Sequence, residues 1–272
     1  MGRTGRTLTS RGGLIDLHSH LLPGIDDGAS DLDASVEMAR AAVEGGVEQL
    51  VATPHVSRTY PNDPHAFGRR VAEVQSALDT AGVPLRVHRG AEVNHAALLD
   101  LTDEDLSACT IGGGSFLLIE PSMSGPMPFI ERADGDLQQK GFRILLAHPE
   151  RIHAFQRDIR LLERLVDQGC LSSVTASSVS GHFGGSVMRF TKELFAHGLV
   201  HNLASDAHDA RFRSPALRPV LERAVEALPA LEPWLPYLTE DVPRAILAGE
   251  TPPGTAPVIE SRRSVLRRLR GR

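Results

Sequence analysis

Leu14-Ile15-Asp16-Leu17-His18-Ser19-His20 is a short apolar run that ends in two histidines spaced i, i+2. Leu14 to Leu17 reads as a β-strand that runs into His18-Ser19-His20. Side chains alternate along a strand, so His18 and His20 point the same way and can clamp one ion. The same pattern recurs outward from this stretch. Gln49 to Thr53 is a second strand and leads to Pro54-His55; Leu85 to Val87 is a third, followed by Gly90-Ala91-Glu92. Phe116 to Ile119 is a fourth and ends at Glu120. Arg143 to Ala147 is a fifth and runs into His148-Pro149-Glu150-Arg151. Leu171 to Thr175 is a sixth, and Val200 to Ala204 a seventh that delivers Ser205-Asp206-Ala207-His208.

Helical periodicity fills the intervals. Helices are expected over Ala34–Val43 (ended by Gly45-Gly46), Phe67–Leu78, Pro128–Lys140, Ile159–Gln168 and Val187–His197, with a short helical stretch around Ala96–Leu101. Two more follow near Pro219–Ala227 and Val242–Leu247. Strand then helix, about seven times over, is the signature of parallel crossover units. The strands are almost continuously apolar, as expected when helices cover one face and a barrel interior the other. One α/β domain over residues 14–250 is the reading, barrel-like, with an open doubly wound sheet as the structural alternative. Residues 1–13 and 251–272 read as tails, the second closing with Arg262, Arg263, Arg267, Arg268, Arg270 and Arg272. No aromatic residues accompany those arginines, which favours a solvated tail.

In a parallel barrel the C-terminal strand ends share one rim, where active sites sit. Ligands scattered over the chain would therefore meet in space. A lone histidine in a loop is ordinarily solvated, and a lone aspartate is ordinarily a turn residue. A strand that ends in acid or histidine, repeated six times, is what carries the assignment. Imidazole and carboxylate without thiolate suit Mn²⁺, Fe²⁺ or Zn²⁺.

Other chemistries lack their residues. A cysteine phosphatase needs an arginine six positions after its nucleophile, but Ser115 stands there for Cys109 and Ala176 for Cys170. No G-x-x-x-x-G-K-[ST] loop and no G-x-S-x-G elbow occurs. A net charge of −5 speaks against a dedicated nucleic-acid binder. Two cysteines, no signal-peptide core and no membrane-length apolar run predict a cytoplasmic protein without a transmembrane segment.

The motifs resemble the polymerase-and-histidinol-phosphatase (PHP) superfamily, and most closely its bacterial tyrosine-phosphatase branch, the CpsB/YwqE-like enzymes of capsule and exopolysaccharide operons. The resemblance runs from about Leu14 to about Gly249. It is carried by Ile15 to Gly28, Thr53-Pro54-His55, Gly90-Ala91-Glu92, Leu118-Ile119-Glu120, Leu146 to Arg151 and Ala204 to His208. It implies a distorted (β/α)7 TIM-like barrel. It implies three divalent metal ions, with Mn²⁺ as the first choice, on His18, His20, Asp27, His55, Glu92, Glu120, His148, Asp206 and His208. Glu92 is then the bridging carboxylate. Asp27 is preferred as ligand to its neighbour Asp26, which could instead stabilise the turn. Arg151 and Arg213 match positions that grip the substrate phosphate, and His208 could also serve the leaving oxygen. The implied reaction is hydrolysis of a phosphotyrosine protein by metal-bound hydroxide, the first partner being the Tyr-rich tail of a polysaccharide-export tyrosine kinase. A phosphatase for histidinol phosphate or a nucleotide is the second enzyme reading. A non-catalytic metal-binding regulator is the reading from another class. The chain departs from the family after Thr53-Pro54-His55, where Val56 replaces a second histidine. It departs again after His208, where Asp209 and Arg213-Ser214-Pro215-Ala216 replace an asparagine and a doubled proline.

Overall fold

The computed structural model describes residues 13–123 and 130–259. Its elements are β1 (Leu14–Ser19), α1 (Leu32–Glu44), β2 (Val47–Ala52), β3 (His55–Val56), α2 (Phe67–Thr80), β4 (Arg86–Arg89), β5 (Glu92–Asn94), α3 (Asp103–Cys109) and β6 (Phe116–Glu120). Then come α4 (Ile130–Gln139), β7 (Arg143–Ala147), α5 (His153–Arg157), α6 (Ile159–Asp167), β8 (Leu171–Thr175), α7 (Gly185–Ala196), β9 (Asn202–Ala204), α8 (Leu217–Ala227) and α9 (Val242–Leu247). Local chemistry explains the boundaries. Asp31 caps α1 by accepting from the Ala34 amide at 2.9 Å, and Gly46, at φ 82°, releases the chain into β2. Thr102 and Asp105 form a reciprocal capping box at the start of α3, a helix the apolar periodicity does not announce.

Every strand pair is parallel, in two sheets of order β1-β2-β4 and β3-β5-β6-β7-β8-β9. The expected alternation of strand and helix is present, with β3 and β5 as two short strands beyond the seven expected. The expected single closed ring is not what the hydrogen bonds form among the described residues. The physical reason lies in two dipeptides. Thr53-Pro54 separates β2 from β3, and Pro54 has no amide to give to a ladder. Gly90-Ala91 separates β4 from β5, at a point so close to β2 that a Cβ on Gly90 would lie 2.7 Å from Val51. The outer strands β1 and β9 meet through a single bridge, Ser19 with Ala207, supported by Asp206 N to His18 O at 2.9 Å and His20 N to Ala207 O at 2.8 Å.

Both strand faces are apolar, which is why the strands read as continuous runs. Ile15, Leu17, Val51, Phe116, Leu118, Leu145 and Ala147 form an inner cluster closed by Val242 and Ile246 of α9. The alternate residues, such as Leu50, Leu117, Ile119 and Leu146, pack in the larger cluster that the helices cover. Residues 251–259 continue along the body, where Ile259 is buried and donates its amide to Phe195 O at 2.9 Å. Residues 1–12 of the first expected tail, and 260–272 of the second with its arginines, lie outside the described residues. Among the described residues no helix is long and apolar enough to cross a membrane.

His201, just before β9, is buried and its pKa is pushed down to about 4 by that burial, while its Nδ1 accepts from the Ser172 amide at 3.2 Å. In the unfolded chain the imidazole protonates near 6.5, so between pH 6.5 and 4 the unfolded state binds the extra proton and stability falls as pH falls. His201→Gln keeps an acceptor without the titration. Urea melts at pH 7 and pH 5 are expected to show the wild type losing about 2 kcal/mol more than this variant. Equal losses would refute the assignment.

Candidate metal centre

The C-terminal ends of β1, β6, β7 and β9 and the first residues of β3 and β5 deliver the site. His18 lies in β1 and His20 just beyond it, His55 opens β3, Glu92 opens β5, Glu120 ends β6, His148 follows β7, and Asp206 and His208 follow β9. Asp27 comes from the loop after β1. That loop is drawn in by Gly24 N to Ala29 O (2.8 Å) and Ala29 N to His20 O (3.1 Å). Gly28 must be glycine, because a Cβ there would sit 2.1 Å from the His20 carbonyl oxygen.

The Glu92 carboxylate, 1% exposed, is the centre. Its Oε2 lies 3.2 Å from His18 Nε2, 3.3 Å from His20 Nε2 and 3.1 Å from His55 Nδ1, and its Oε1 lies 2.8 Å from His148 Nε2. Asp27 Oδ1 is 3.4 Å from His55 Nε2 and 3.3 Å from His208 Nε2. Asp206 Oδ1 is 3.5 Å from His18 and 3.8 Å from both His20 and His208. Glu120 lies 3.8 Å from His148. Among the described residues, three groups have donor atoms close enough together to hold an ion: His20, Asp27, His55 and His208; His18, His20 and Glu92; and His55, Glu92 and Glu120. Every ligand expected from the sequence is thus brought to one place, with His148 and Asp206 at its border.

The electrostatics show what such a cluster asks for. Burial alone would lower the His20 pKa, yet hydrogen bonds to Asp26 and Glu92 push it up to about 10. Burial is likewise outweighed at His55, chiefly by Asp27, and at His148, chiefly by Glu92, so both are raised. Hydrogen bonds from His208 and His55 hold Asp27 well below the usual carboxylate range. At Asp206 burial acts upward but the charges of His18, His148 and Arg213 prevail, and its pKa is low. The carboxylates therefore draw positive charge into a buried volume, as protons or as cations. The donor set, imidazole nitrogen and carboxylate oxygen without sulfur, fits a divalent transition cation.

Some contributors are not singled out by sequence reasoning. Asp26, set aside as a turn residue, does hold the turn by accepting from Gly28 N at 3.0 Å. It also accepts from His20 Nδ1 at 2.8 Å and from His55 N at 3.1 Å. It thereby fixes the His20 tautomer and leaves Nε2 facing the cluster. Asp16 is fully buried and accepts from the amide and hydroxyl of Ser205, tying β1 to the Asp206 loop; burial raises its pKa to about 6. Glu150, also buried, accepts from Thr175 N (3.1 Å) and Ser178 Oγ (2.7 Å) and anchors the turn that carries His148. Asn94 donates to Glu120 at 3.2 Å. The signal for these was their place one or two residues from a ligand, which does not by itself separate a support from a bystander.

The backbone carries strain at two of the expected ligands. His148 (φ 32°) and Asp206 (φ 53°) are the non-glycine residues with positive φ among the described residues. Such conformations cost of order 1–3 kcal/mol each and gather at functional sites. Arg151 and Arg213 both reach Asp206 Oδ2, each at 2.6 Å. Arg213 Nε is buried without a partner. Cys109 and Cys170 are buried free thiols, Cys109 pushed up to about 12 by burial and Cys170 also raised, so neither is poised as a thiolate.

Fold and site together define a parallel α/β protein with a histidine–carboxylate cluster suited to divalent cations. More particularly, the chain belongs to the CpsB/CapC family of capsular polysaccharide synthesis, whose model matches residues 14–227. It is 33% identical over 246 residues to the tyrosine-protein phosphatase YwqE of Bacillus subtilis, covering 88% of this chain and 93% of that protein. It is 26% identical over 213 residues to the tyrosine-protein phosphatase CpsB of Streptococcus pneumoniae, covering 75% and 87%. A chain from the crystal structures of YwqE from Bacillus subtilis and CpsB from Streptococcus pneumoniae, described as metal-dependent tyrosine phosphatases, superposes with a TM-score of 0.80 at 32% identity. The match covers 92% of this chain and 100% of that one. An amidohydrolase from Mycoplasma synoviae shares the fold alone, at TM-score 0.53 and 12% identity over 95% of this chain and 94% of that one.

Asp26→Asn leaves the size of the side chain unchanged but weakens its hold on His20. A loss of about 10- to 100-fold in Mn²⁺ affinity is expected, measured by competition titration against a chelating dye. Unaltered affinity would show that Asp26 serves only the turn.

Proposed function

We propose that this protein is a metal-dependent protein-tyrosine phosphatase. The observation that carries the reading is the meeting of Arg151 and Arg213 on Asp206, at the border of the histidine–carboxylate cluster. His18, His20, Asp27, His55, Glu92, Glu120, His148, Asp206 and His208 would hold three divalent cations, Mn²⁺ first, with Glu92 shared between ions. Bound there, the cations would make a water nucleophilic near neutral pH and offset charge on the phosphoryl oxygens.

The chain's own residues do the rest. Arg151 and Arg213 bind and orient the phosphate. Each guanidinium keeps further N–H donors after one is given to Asp206, and the buried Arg213 Nε lacks the acceptor that a phosphate oxygen would provide. A lysine could not replace that planar fork. His208 donates Nδ1–H to the Asp206 carbonyl at 3.1 Å, which directs Nε2 toward Asp27 and the reacting end. A phenolate leaves with little help because the phenol pKa is about 10, so His208, its Nδ1–H committed to the Asp206 carbonyl and its Nε2 to the cluster, is not required as an acid. No side-chain nucleophile enters, and no phosphoenzyme forms.

The substrate follows from the mouth of the site. Asp27 is 44% exposed, and His55, Arg151 and Arg213 are all partly exposed, so the cluster opens to the surface among the described residues. That openness suits a phosphotyrosine presented on another protein better than an enclosed metabolite. The family's link to capsular polysaccharide synthesis makes the tyrosine-rich tail of a polysaccharide-export tyrosine kinase, met by this protein in the cytoplasm, the first partner. Part of the same proposal is that the two sheets are the halves of a distorted (β/α)7 barrel.

The test is hydrolysis by metal-stripped protein resupplied with Mn²⁺. A phosphotyrosine peptide should be turned over only with metal. His148→Ala should abolish that turnover, and Arg213→Lys should lower kcat/KM by about 100-fold. Turnover of histidinol phosphate alone would move the protein to small-molecule metabolism. Silence on both substrates with metal content verified would leave a non-catalytic regulator.

A further inference from the structure

Phe212 is 85% exposed, at the rim of the site and one residue before Arg213. Its exposure is built into a closed turn. The Asp209 carboxylate accepts from the amides of Arg211 (2.7 Å), Phe212 (2.6 Å) and Arg213 (3.0 Å), while His208 N donates to Arg213 O at 2.9 Å. The turn therefore holds a large apolar ring in water beside a phosphate-gripping arginine. A lone exposed ring is ordinary by itself, and it is the charge gathered beside this one that sets it apart.

On one side of Phe212 lies a depression of about 240 Å³. Its charged and aromatic lining consists of Arg211, Arg213, Arg223, His182, Phe183 and Phe212. Among the described residues no aspartate or glutamate lines it, in a chain whose formal charge is −5. The first turn of α8 forms one wall through Ala216, Pro219 and Val220, so the positive end of that helix adds to the same sign. The depression on the other side of Phe212 is larger, about 440 Å³, but Glu37 and Asp209 line it beside His208, Met38 and small residues, with Arg211 as its one arginine. Charge thus distinguishes the two.

The smaller depression is continuous with the phosphate end of the site. Arg213 lines it and also reaches Asp206 Oδ2 at 2.6 Å. Phe183 lines it and carries the Arg151 guanidinium 4.6 Å above its ring centre. A peptide whose phosphotyrosine is held by Arg151 and Arg213 would lay its neighbouring residues here, since adjacent residues of an extended chain are only about 3.5 Å apart. Resting on the phosphatase reading, we propose that this depression selects the substrate sequence. It accepts an aspartate or glutamate next to the phosphotyrosine, met by Arg211 and Arg223, with Phe183 and Phe212 bordering the peptide.

The experiment compares phosphotyrosine peptides that carry Glu, Gln or Lys at the positions flanking the phosphotyrosine, each as kcat/KM divided by that for p-nitrophenyl phosphate, with Mn²⁺-loaded full-length protein. Glu is expected to exceed Lys by about 3- to 10-fold at one flanking position, with the gap closing in high salt. Arg211→Glu with Arg223→Glu should reverse the order, and Phe212→Ser should lower the ratio for every peptide. The wild-type series needs no variant and remains decisive should a variant fail to fold. Peptide ratios independent of flanking charge, with p-nitrophenyl phosphate still hydrolysed, would overturn this inference alone. Loss of all aryl phosphate hydrolysis in metal-loaded wild type would overturn the phosphatase reading and this inference with it.

Discussion

A carboxylate removed from water among four imidazoles is the constraint on which this molecule turns. An ionised Glu92 at 1% exposure would cost several kcal/mol if left alone. It is tolerable only because His18, His20, His55 and His148 approach it from β1, the loop beyond it, β3 and the turn after β7. Those histidines lie up to 130 residues apart in the chain. A parallel arrangement brings them together because every strand ends at the same side, and each strand end can donate one or two side chains. The second layer follows from the same requirement. Asp26 turns His20, Asp16 holds the Asp206 loop through Ser205, and Glu150 pins the turn behind His148. The positive φ angles of His148 and Asp206 are the backbone counterpart, tolerated because hydrogen bonds from His148 N to Ser173 O and from Asp206 N to His18 O hold both residues in place.

Much of this was legible in the sequence, for a reason that can be named. Strands buried on both faces appear as apolar runs, and ligands at their ends appear as polar residues directly after the runs, so fold and site announce each other. Leu14–Leu17 was readable as a strand, although the structure extends it through Ser19, because His18 and Ser19 are polar yet buried. The two-sheet pairing was not readable. It depends on whether Pro54 and Gly90 interrupt a ladder or merely bend it, and that is decided by partners far away in sequence. The helix at Asp103–Cys109 was missed because a capping box, and not an apolar stripe, defines its start. The stretch around Ala96–Leu101 tightens to a single 3₁₀ turn at Ala97–Leu99, too short for periodicity to resolve. Asp26 and Asp27 are neighbours of identical chemistry, and which one faces the cluster depends on how the turn closes over Gly28.

Asp206 joins the two halves of the site. Its Oδ1 faces His18, His20 and His208, and its Oδ2 receives both Arg151 and Arg213. One carboxylate thus stands between the imidazoles of the cluster and the two guanidiniums. Two guanidiniums on one oxygen would repel each other without that charge between them, so their meeting depends on Asp206 being ionised and in place. The loop that follows it is free to vary on different terms. Asp209 spends its carboxylate on three amides of its own turn and contributes nothing to the cluster, yet it decides where Arg211 and Phe212 stand. Arg213 closes that same turn, so its approach to Asp206 Oδ2 and the stance of Arg211 and Phe212 are fixed together by a carboxylate that is no member of the cluster.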